Sequence, residues 1–342
     1  MVTIIDVANY AGVSKSTVSL VLNKSPRVKE ETRLRVEEAI AALGYVCNNN
    51  ARGLRKKETK CLGIIIAIES KNVDPHGFDN EPGLFSYGIS NGILDGLENT
   101  DYGLINERYC MAEANGELPR IVKNARTDGV FLVGGLFSRQ IIEDIKSCGI
   151  PVVGVGRVYE GIDSAYVDVA KGMYLQTSEL LKSGCRQIAL INCPKSFVAS
   201  QDRVQGWERA LREHGGAVEK SWQTYCDTNT GEGGYHAMKA LWEAGARPDG
   251  ITTSNEHTAL GVMRFLAEKG MRVPEDVSIV SYESTVLGSH AIPPLTTVNI
   301  HKEEMGAIAA RMILNRIQNP DAPLARYKLD PELVIRNSVK RK

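Results

Sequence analysis

The stretch Thr3-Ile-Ile-Asp-Val-Ala-Asn-Tyr-Ala-Gly-Val-Ser-Lys-Ser-Thr-Val-Ser-Leu-Val-Leu-Asn23 holds two short helical patterns that meet at Ala11-Gly12-Val13-Ser14. Ile4, Val7, Ala8 and Ala11 recur at helical spacing, which gives the first helix one apolar face. Thr3 with Asp6 has the form of a capping box at its start. Gly12 can take the positive φ that a tight turn needs, and Ser14 can cap the second helix. That second helix buries Val18, Val21 and Leu22 and leaves Lys15, Ser16, Thr17, Ser19 and Leu20 facing out. An ordinary pair of packed helices would share the periodicity. The small residues at the turn and the polar outward face favour a helix-turn-helix, whose second helix enters the DNA major groove near its N-terminal end.

The run Asp6-Val-Ala-x-x-Ala-Gly-Val-Ser-x-x-Thr-Val-Ser-x-Val-Leu-Asn23 resembles the headpiece of lac-repressor-family transcription regulators. The likeness continues through Val28-Lys-Glu-Glu-Thr-Arg33, a third helix ending at Leu43-Gly44-Tyr45, and Asn48-x-x-Ala51-Arg52-x-Leu54. It returns at Pro293-Pro-Leu-Thr-Thr297 and Glu332-Leu-Val-Ile-Arg-Asn-Ser338, so it spans nearly the whole chain. The resemblance implies a headpiece over 1–45, a hinge segment over 46–60 and an effector-binding and dimerisation core over 61–342. It also implies a periplasmic-binding-protein-like core, with a first lobe near 61–165 and 300–328 and a second near 166–290 and 329–342. The three crossings between lobes are then expected near 163–168, 286–300 and 327–331.

Composition agrees with such a protein. A chain of 342 residues is too long for one typical domain. It has no run of eighteen apolar residues, and its N-terminus carries Asp6 and a helix-turn-helix where a signal peptide needs an apolar core. A cytoplasmic protein is expected. The seven cysteines, at 47, 61, 110, 148, 185, 193 and 226, are odd in number and lack a C-x-x-C pair, which argues against a disulfide framework and a zinc site. The net charge of zero hides an asymmetry: residues 1–60 hold eleven Lys and Arg against six Asp and Glu, and the remainder is acidic. A basic head on an acidic body suits contact with phosphates.

After Tyr45 the sequence Val-Cys-Asn-Asn-Asn-Ala-Arg-Gly-Leu-Arg-Lys-Lys-Glu-Thr-Lys60 makes a poor autonomous helix and concentrates positive charge. In the resembling family this stretch folds on the operator, and its leucine, here Leu54, wedges into the minor groove. The proline usual before the asparagine is Cys47 here. The candidate DNA contacts are therefore Thr3, Ser14, Lys15, Ser16, Thr17, Ser19, Leu20, Asn23, Asn48, Ala51, Arg52 and Leu54. Leu20 stands where relatives carry a polar residue, often arginine, and can offer a base only an apolar surface.

From Cys61 onward, apolar runs such as Cys61–Ile68, Gly129–Val133, Pro151–Val155, Gln187–Ile191, Gly250–Thr253 and Val277–Ser281 alternate with helical patterns. That alternation predicts two α/β lobes with parallel sheets covered on both faces. Ligands bind such sheets beyond the carboxyl ends of the strands. Arg203 opens Arg-Val-Gln-Gly-Trp207 where the family carries R-x-x-G-aromatic, and an arginine fork at a helix start can grip sugar hydroxyls or a carboxylate. Asn255 and Glu283 follow strands, and planar amide and carboxylate groups suit polyol recognition. Trp207, Tyr282 and Asp227 complete the candidate effector set.

Several departures keep the effector open. The usual Asn-Asp is Asn255-Glu256, the usual aspartate after the later strand is Glu283, and an acidic residue common after the Pro151 strand is Gly156. The stretch 70–83 is longer and more polar than usual.

No catalytic or cofactor motif stands out. Gly154-Val-Gly-Arg-Val-Tyr-Glu-Gly161 misplaces the third glycine of a dinucleotide loop, and no P-loop, H-E-x-x-H or G-x-S-x-G occurs. The six histidines are scattered, so no metal site and no cofactor are expected. The function expected is a DNA-binding regulator, not an enzyme. Its partners are a palindromic operator, a second copy of the chain and a small molecule, a sugar or sugar derivative, with release by an inducer favoured over corepression. A nucleobase or nucleoside corepressor, or a small-molecule-binding protein without DNA function, are the alternatives. An enzyme with a DNA-binding tail is opposed by the missing phosphate-binding loops.

Overall fold

A computed structural model describes residues 2–22, 25–45, 58–68, 82–111, 113–134, 137–216 and 218–341. Asn23, Cys47, Asn48, Ala51, Arg52 and Leu54, and all but the end of the 70–83 stretch, lie outside the described residues. The chain divides into two compact units, Met1–Thr59 and Lys60–Lys342.

In the first unit α1 spans Ile4–Ala11, α2 Lys15–Leu22 and α3 Glu30–Leu43. The Thr3 amide donates to Asp6 Oδ2 at 2.7 Å, and the Asp6 amide donates back to Thr3 Oγ1 at 3.4 Å, so the capping box is complete. Asp6 is thereby held below its usual carboxylate range, chiefly by the Thr3 hydroxyl. Gly12 ends α1 at φ 63° and Gly44 ends α3 at φ 58°, conformations that glycine adopts without a Cβ penalty. The Thr17 amide donates to Ser14 Oγ at 3.1 Å and starts α2. Val7, Ala8, Ala11, Val18, Val21, Val36 and Ala39 form the core, with Leu22 half-buried against it.

The described residues of the second unit form two six-stranded sheets. The first has β1 (Cys61–Ile68), β2 (Gly103–Cys110), β3 (Gly129–Val133), β4 (Val152–Gly156), β5 (Asp163–Val167) and β11 (Arg326–Leu329) in the order β11-β5-β4-β3-β1-β2, all parallel. The second has β6 (Ile188–Asn192), β7 (Gln223–Tyr225), β8 (Gly250–Thr253), β9 (Ser278–Glu283), β10 (Thr296–Asn299) and β12 (Glu332–Val334) in the order β12-β10-β9-β8-β6-β7, with only β10–β12 antiparallel. β3 and β6 are buried at every residue because helices cover both faces, which is why they read as unbroken apolar runs.

The helices are α4 (Pro82–Leu97), α5 (Arg120–Lys123), α6 (Arg139–Ser147), α7 (Val169–Ser183), α8 (Ala199–Glu213), α9 (Gly231–Glu243), α10 (Glu256–Glu268), α11 (Val286–His290) and α12 (Lys302–Gln318). The chain passes from the first sheet to the second at Asp168, back after β10, and across again at Asp330. The second crossing follows Asn299, at the very end of the 286–300 range expected from the resemblance, because β10 is a full member of the second sheet. The edge strands β2, β7, β11 and β12 and the helix α12 are elements the apolar runs did not disclose. No helix among the described residues is long and apolar enough to cross a membrane.

α4 and α12 pack unusually closely. A Cβ on Gly92 would lie 1.8 Å from the Glu303 carbonyl oxygen, and one on Gly306 would lie 2.2 Å from that of Ile89. Around this seam Ile89, Ile93, Met305, Ala309 and Ile313 join the main core of the first lobe. In an exposed helix, Gly→Ala stabilises by about 1 kcal/mol. Here the backbone contact reverses the sign, and Gly92→Ala is expected to cost about 1–3 kcal/mol through overpacking. A urea titration of the ligand-free protein checks this: the midpoint should fall with the slope unchanged, and a raised midpoint would refute the seam.

Candidate functional site

The carboxyl ends of strands from both sheets face a cavity of about 580 Å³. The first lobe contributes Ile66, Phe85, Ser86, Val133, Gly156, Arg157 and Tyr166, the second Phe197, Asp202, Arg203, Asn229, Tyr282 and Glu283. This is where open parallel sheets bind ligands, and the volume is ordinary for a small-molecule site.

Arg203 is buried in the second turn of α8, which begins at Ala199 and not at Arg203 as the sequence pattern implied. Its Nη1 donates to Cys193 Sγ at 3.1 Å and its Nη2 to the Ser254 carbonyl at 3.3 Å. The guanidinium lies 5.5 Å from the centre of the Tyr282 ring. Tyr282 packs so tightly on α7 that a Cβ on Gly172 would lie 2.5 Å from its Cε2. Burial pushes the Tyr282 phenol well above its usual range, so it remains a neutral donor.

Asn229 was not foreseen. It is buried, and Ser254 Oγ donates to its Oδ1 at 2.8 Å. That bond fixes the amide, and Asn229 Nδ2 has no acceptor among the described residues at the cavity wall. A buried donor needs a partner, so a ligand acceptor placed here would gain a bond that the protein does not supply. Asn255, expected to meet the ligand, does not line the cavity. Its Oδ1 caps α10 by accepting from the Thr258 amide at 2.7 Å, and its Nδ2 donates to the Asn229 carbonyl at 3.3 Å. It supports Asn229 instead.

Two further candidates fall elsewhere. Trp207 is 1% exposed and belongs to the core of the second lobe with Met173, Leu190 and Leu211. Asp227 lines a separate hollow with Lys195, Lys220 and Tyr225. Phe85, Ser86, Arg157, Phe197 and Asp202 line the cavity and were not among the expected residues. Gly156, where the resembling family commonly carries an acid, has φ 93°, and a Cβ there would lie 2.9 Å from Phe85 Cζ. Removal of the acid thus makes room for an aromatic ring.

Glu283 sits at the end of β9 with φ 97°, followed by Ser284 at φ 52°. Two consecutive left-handed residues that are not glycine cost energy and persist only where surroundings hold them. Lys302 Nζ donates to the Glu283 carbonyl at 2.6 Å, and the Ser284 amide donates to Thr297 Oγ1 at 3.3 Å. Glu256 Oε2 accepts from the Thr285 amide at 2.8 Å, the Thr285 hydroxyl and the Gly288 amide at 3.1 Å. Gly288 is required there, since a Cβ would lie 2.1 Å from Glu256 Oε1. Burial raises the Glu283 carboxyl to about 7; Lys302 and Arg203 pull it down and Glu256 pushes it up.

In the headpiece Lys15 and Ser16 are exposed, Thr17 and Ser19 half-buried, and Leu20 is 40% exposed. Ser14 Oγ is engaged with Ser16 Oγ at 2.7 Å and Thr17 Oγ1 at 2.9 Å, and Thr3 Oγ1 donates to Asp6 Oδ2 at 2.7 Å. Both caps therefore order helix starts, while Lys15, Ser16 and Leu20 form the free face of α2.

Residues 3–48 match the family of bacterial regulatory proteins, lacI family, and residues 177–339 match a periplasmic binding protein-like domain. The HTH-type transcriptional repressor PurR of Vibrio vulnificus is 31% identical over 100% of this chain and 99% of its own length. The ribose operon repressor of Haemophilus influenzae is 29% identical over 99% of each chain. Among solved structures, a lac repressor dimer bound to operator and the anti-inducer ONPF superposes with a TM-score of 0.82 at 27% identity, covering 98% of both chains. A transcriptional regulator CelR–cellobiose complex gives 0.73 at 29%, covering 99% of this chain and 100% of that one. With full-length relatives at 31% identity, a helix-turn-helix headpiece and a two-lobed cleft, the chain belongs to the LacI family of bacterial regulatory proteins and is a DNA-binding transcriptional regulator.

Proposed function

We propose that the chain is a repressor whose affinity for a two-fold operator is set by a small carbohydrate in the cleft, and that it works as a homodimer. The observation that carries the carbohydrate reading is the wall of the second lobe. There Arg203, the Asn229 amide, whose Nδ2 has no acceptor among the described residues, and Glu283 come together with the Phe197 and Tyr282 rings. Paired donors and acceptors next to aromatic faces match a ring that carries hydroxyls on its edge and C–H groups on its faces. The names of the ribose operon repressor and the CelR–cellobiose complex support the same class.

Lys15, Ser16, Thr17, Ser19 and Leu20 are assigned to base and phosphate contact. Thr3, Ser14, Asn23 and the hinge residues Asn48, Ala51, Arg52 and Leu54 are assigned to backbone and minor-groove contact. Two headpieces supply the affinity that one lacks. Ligand binding that rotates the lobes separates the paired hinges and releases DNA, for which a coupling of about 1–3 kcal/mol suffices.

A gel shift on genomic fragments, with ribose, cellobiose and other sugars set against hypoxanthine and nucleosides, tests the reading. A response confined to nucleobases would replace the carbohydrate by a corepressor, and no retarded fragment would remove the regulator. Arg203→Ala should retain the DNA complex and lose the response to the active compound; a response at an unchanged concentration would show that the cleft is misassigned.

Leu20 is expected to face a thymine methyl in each half-site. Replacing it by Arg should change the preferred base at that one position by about 1–3 kcal/mol. Selection from random DNA reads this directly, and an identical consensus would show that Leu20 reads nothing.

The raised Glu283 carboxyl gives a sign for pH. Its contribution to stability is fully present below the usual carboxylate range and is lost as pH rises through about 7. Arg203 and Lys302, which favour its charged form, and Glu256, which opposes it, surround the group. Melting curves of the free protein from about pH 5 to about pH 8 should therefore show the wild type losing stability relative to Glu283→Gln. Parallel curves would count against the buried carboxyl.

A further inference from the structure

The left-handed corner at Glu283–Ser284 is held from both lobes. Glu256 grips it from its own lobe, through Thr285 and Gly288. Lys302 grips it from the other. Lys302 is the first residue of α12, whose body packs on α4, β4 and β5 of the first lobe. Its ammonium nonetheless ends in the second lobe, on the Glu283 carbonyl at 2.6 Å. The side chain is 5% exposed, and its stem runs along α4, where a Cβ on Gly88 would lie 3.0 Å from Lys302 Cβ and 3.2 Å from Cε. A buried ammonium is costly unless hydrogen-bonded, and a strained corner is costly unless held. Each therefore depends on the other.

We propose that Lys302 is the positioning residue that couples the effector cleft to the first lobe. Glu283 lines the cavity, and its carbonyl accepts from Lys302. A compound that moves the carboxyl turns the same residue's peptide unit, and so moves the start of α12. The glycine seam allows α12 no slack against α4, so the displacement passes to the helix that carries Phe85 and Ser86. This rests on the cleft being the effector site.

The full-length chain without any small molecule gives the test. In Lys302→Met, hydrogen exchange should accelerate about tenfold or more at residues 283–290 and 302–306, while β1, β3, β6 and β8 keep wild-type protection. On DNA selected from random sequence by the wild type, Lys302→Met should shift the dissociation constant about tenfold or more, although Lys302 is too buried to touch phosphate. Lys302→Arg, which retains the charge and donors, should restore both. Gly88→Ala, which displaces the stem more gently, should reproduce the exchange pattern and serves if Lys302→Met does not fold.

Uniform acceleration across both sheets would reduce Lys302 to a general support and overturn the proposal. So would unchanged DNA affinity in a variant whose corner exchanges fast. If the wild type selects no DNA at all, the regulator reading fails, and the exchange pattern still decides the tie.

Discussion

A backbone corner built from Glu283 and Ser284, both left-handed and neither glycine, constrains much of the larger unit. Such a corner returns to ordinary geometry unless hydrogen bonds from several directions forbid it. The surroundings supply them: Glu256 at the start of α10, Thr297 on β10, Arg336 near the end of the chain and Lys302 at the start of α12. These groups come from distant parts of the sequence, so the corner forms only when the second sheet is assembled and the second crossing is in place. The result is a carboxyl held at the cavity wall with little freedom to relax.

The same logic organises the rest of the cleft. Ser254 and Asn255 fix Asn229, and Cys193 and the Ser254 carbonyl fix Arg203. Each ligand-facing group is thus oriented by a neighbour that does not itself face the cavity, which lowers the ordering cost of binding. The three crossings carry their own ties. Lys328 meets Asp168 at 3.1 Å and Lys171 meets Asp330 at 2.8 Å, joining the first and third crossings at the cleft edge. These pairs are half-exposed, so their individual energies are small. Their position makes them sensitive to any relative motion of the lobes.

The headpiece obeys simpler rules. Its turn and caps involve residues within a few positions of one another, and its small core needs only three short helices. That locality is why Thr3–Asp6, Gly12 and Ser14 could be assigned roles from sequence alone. It is also why Leu20 stands out: a large apolar side chain at a position left exposed by every packing requirement asks for another explanation.

The sequence by itself determined whatever depends on near neighbours and on periodicity. Helix caps, the turn glycine, the buried parallel strands and the alternation that builds two α/β lobes are written in spacing and residue type. Tyr282 and Glu283 line the cavity at a strand end, and Arg203, singled out by the resemblance, lines it from the second turn of α8. Tertiary structure alone decided which polar residues at those ends meet a ligand. Asn255 and Asn229 carry the same amide, and only folding shows that one is consumed by a cap while the other keeps a buried donor at the wall. Trp207 and Asp227 sit in plausible places along the chain, yet the helix phase and a short edge strand turn them elsewhere. Lys302 carries no mark in the sequence of the role it takes in the fold. Its reach into the opposite lobe follows from α12 lying in the glycine seam of α4, a contact between segments about two hundred residues apart that no local pattern encodes.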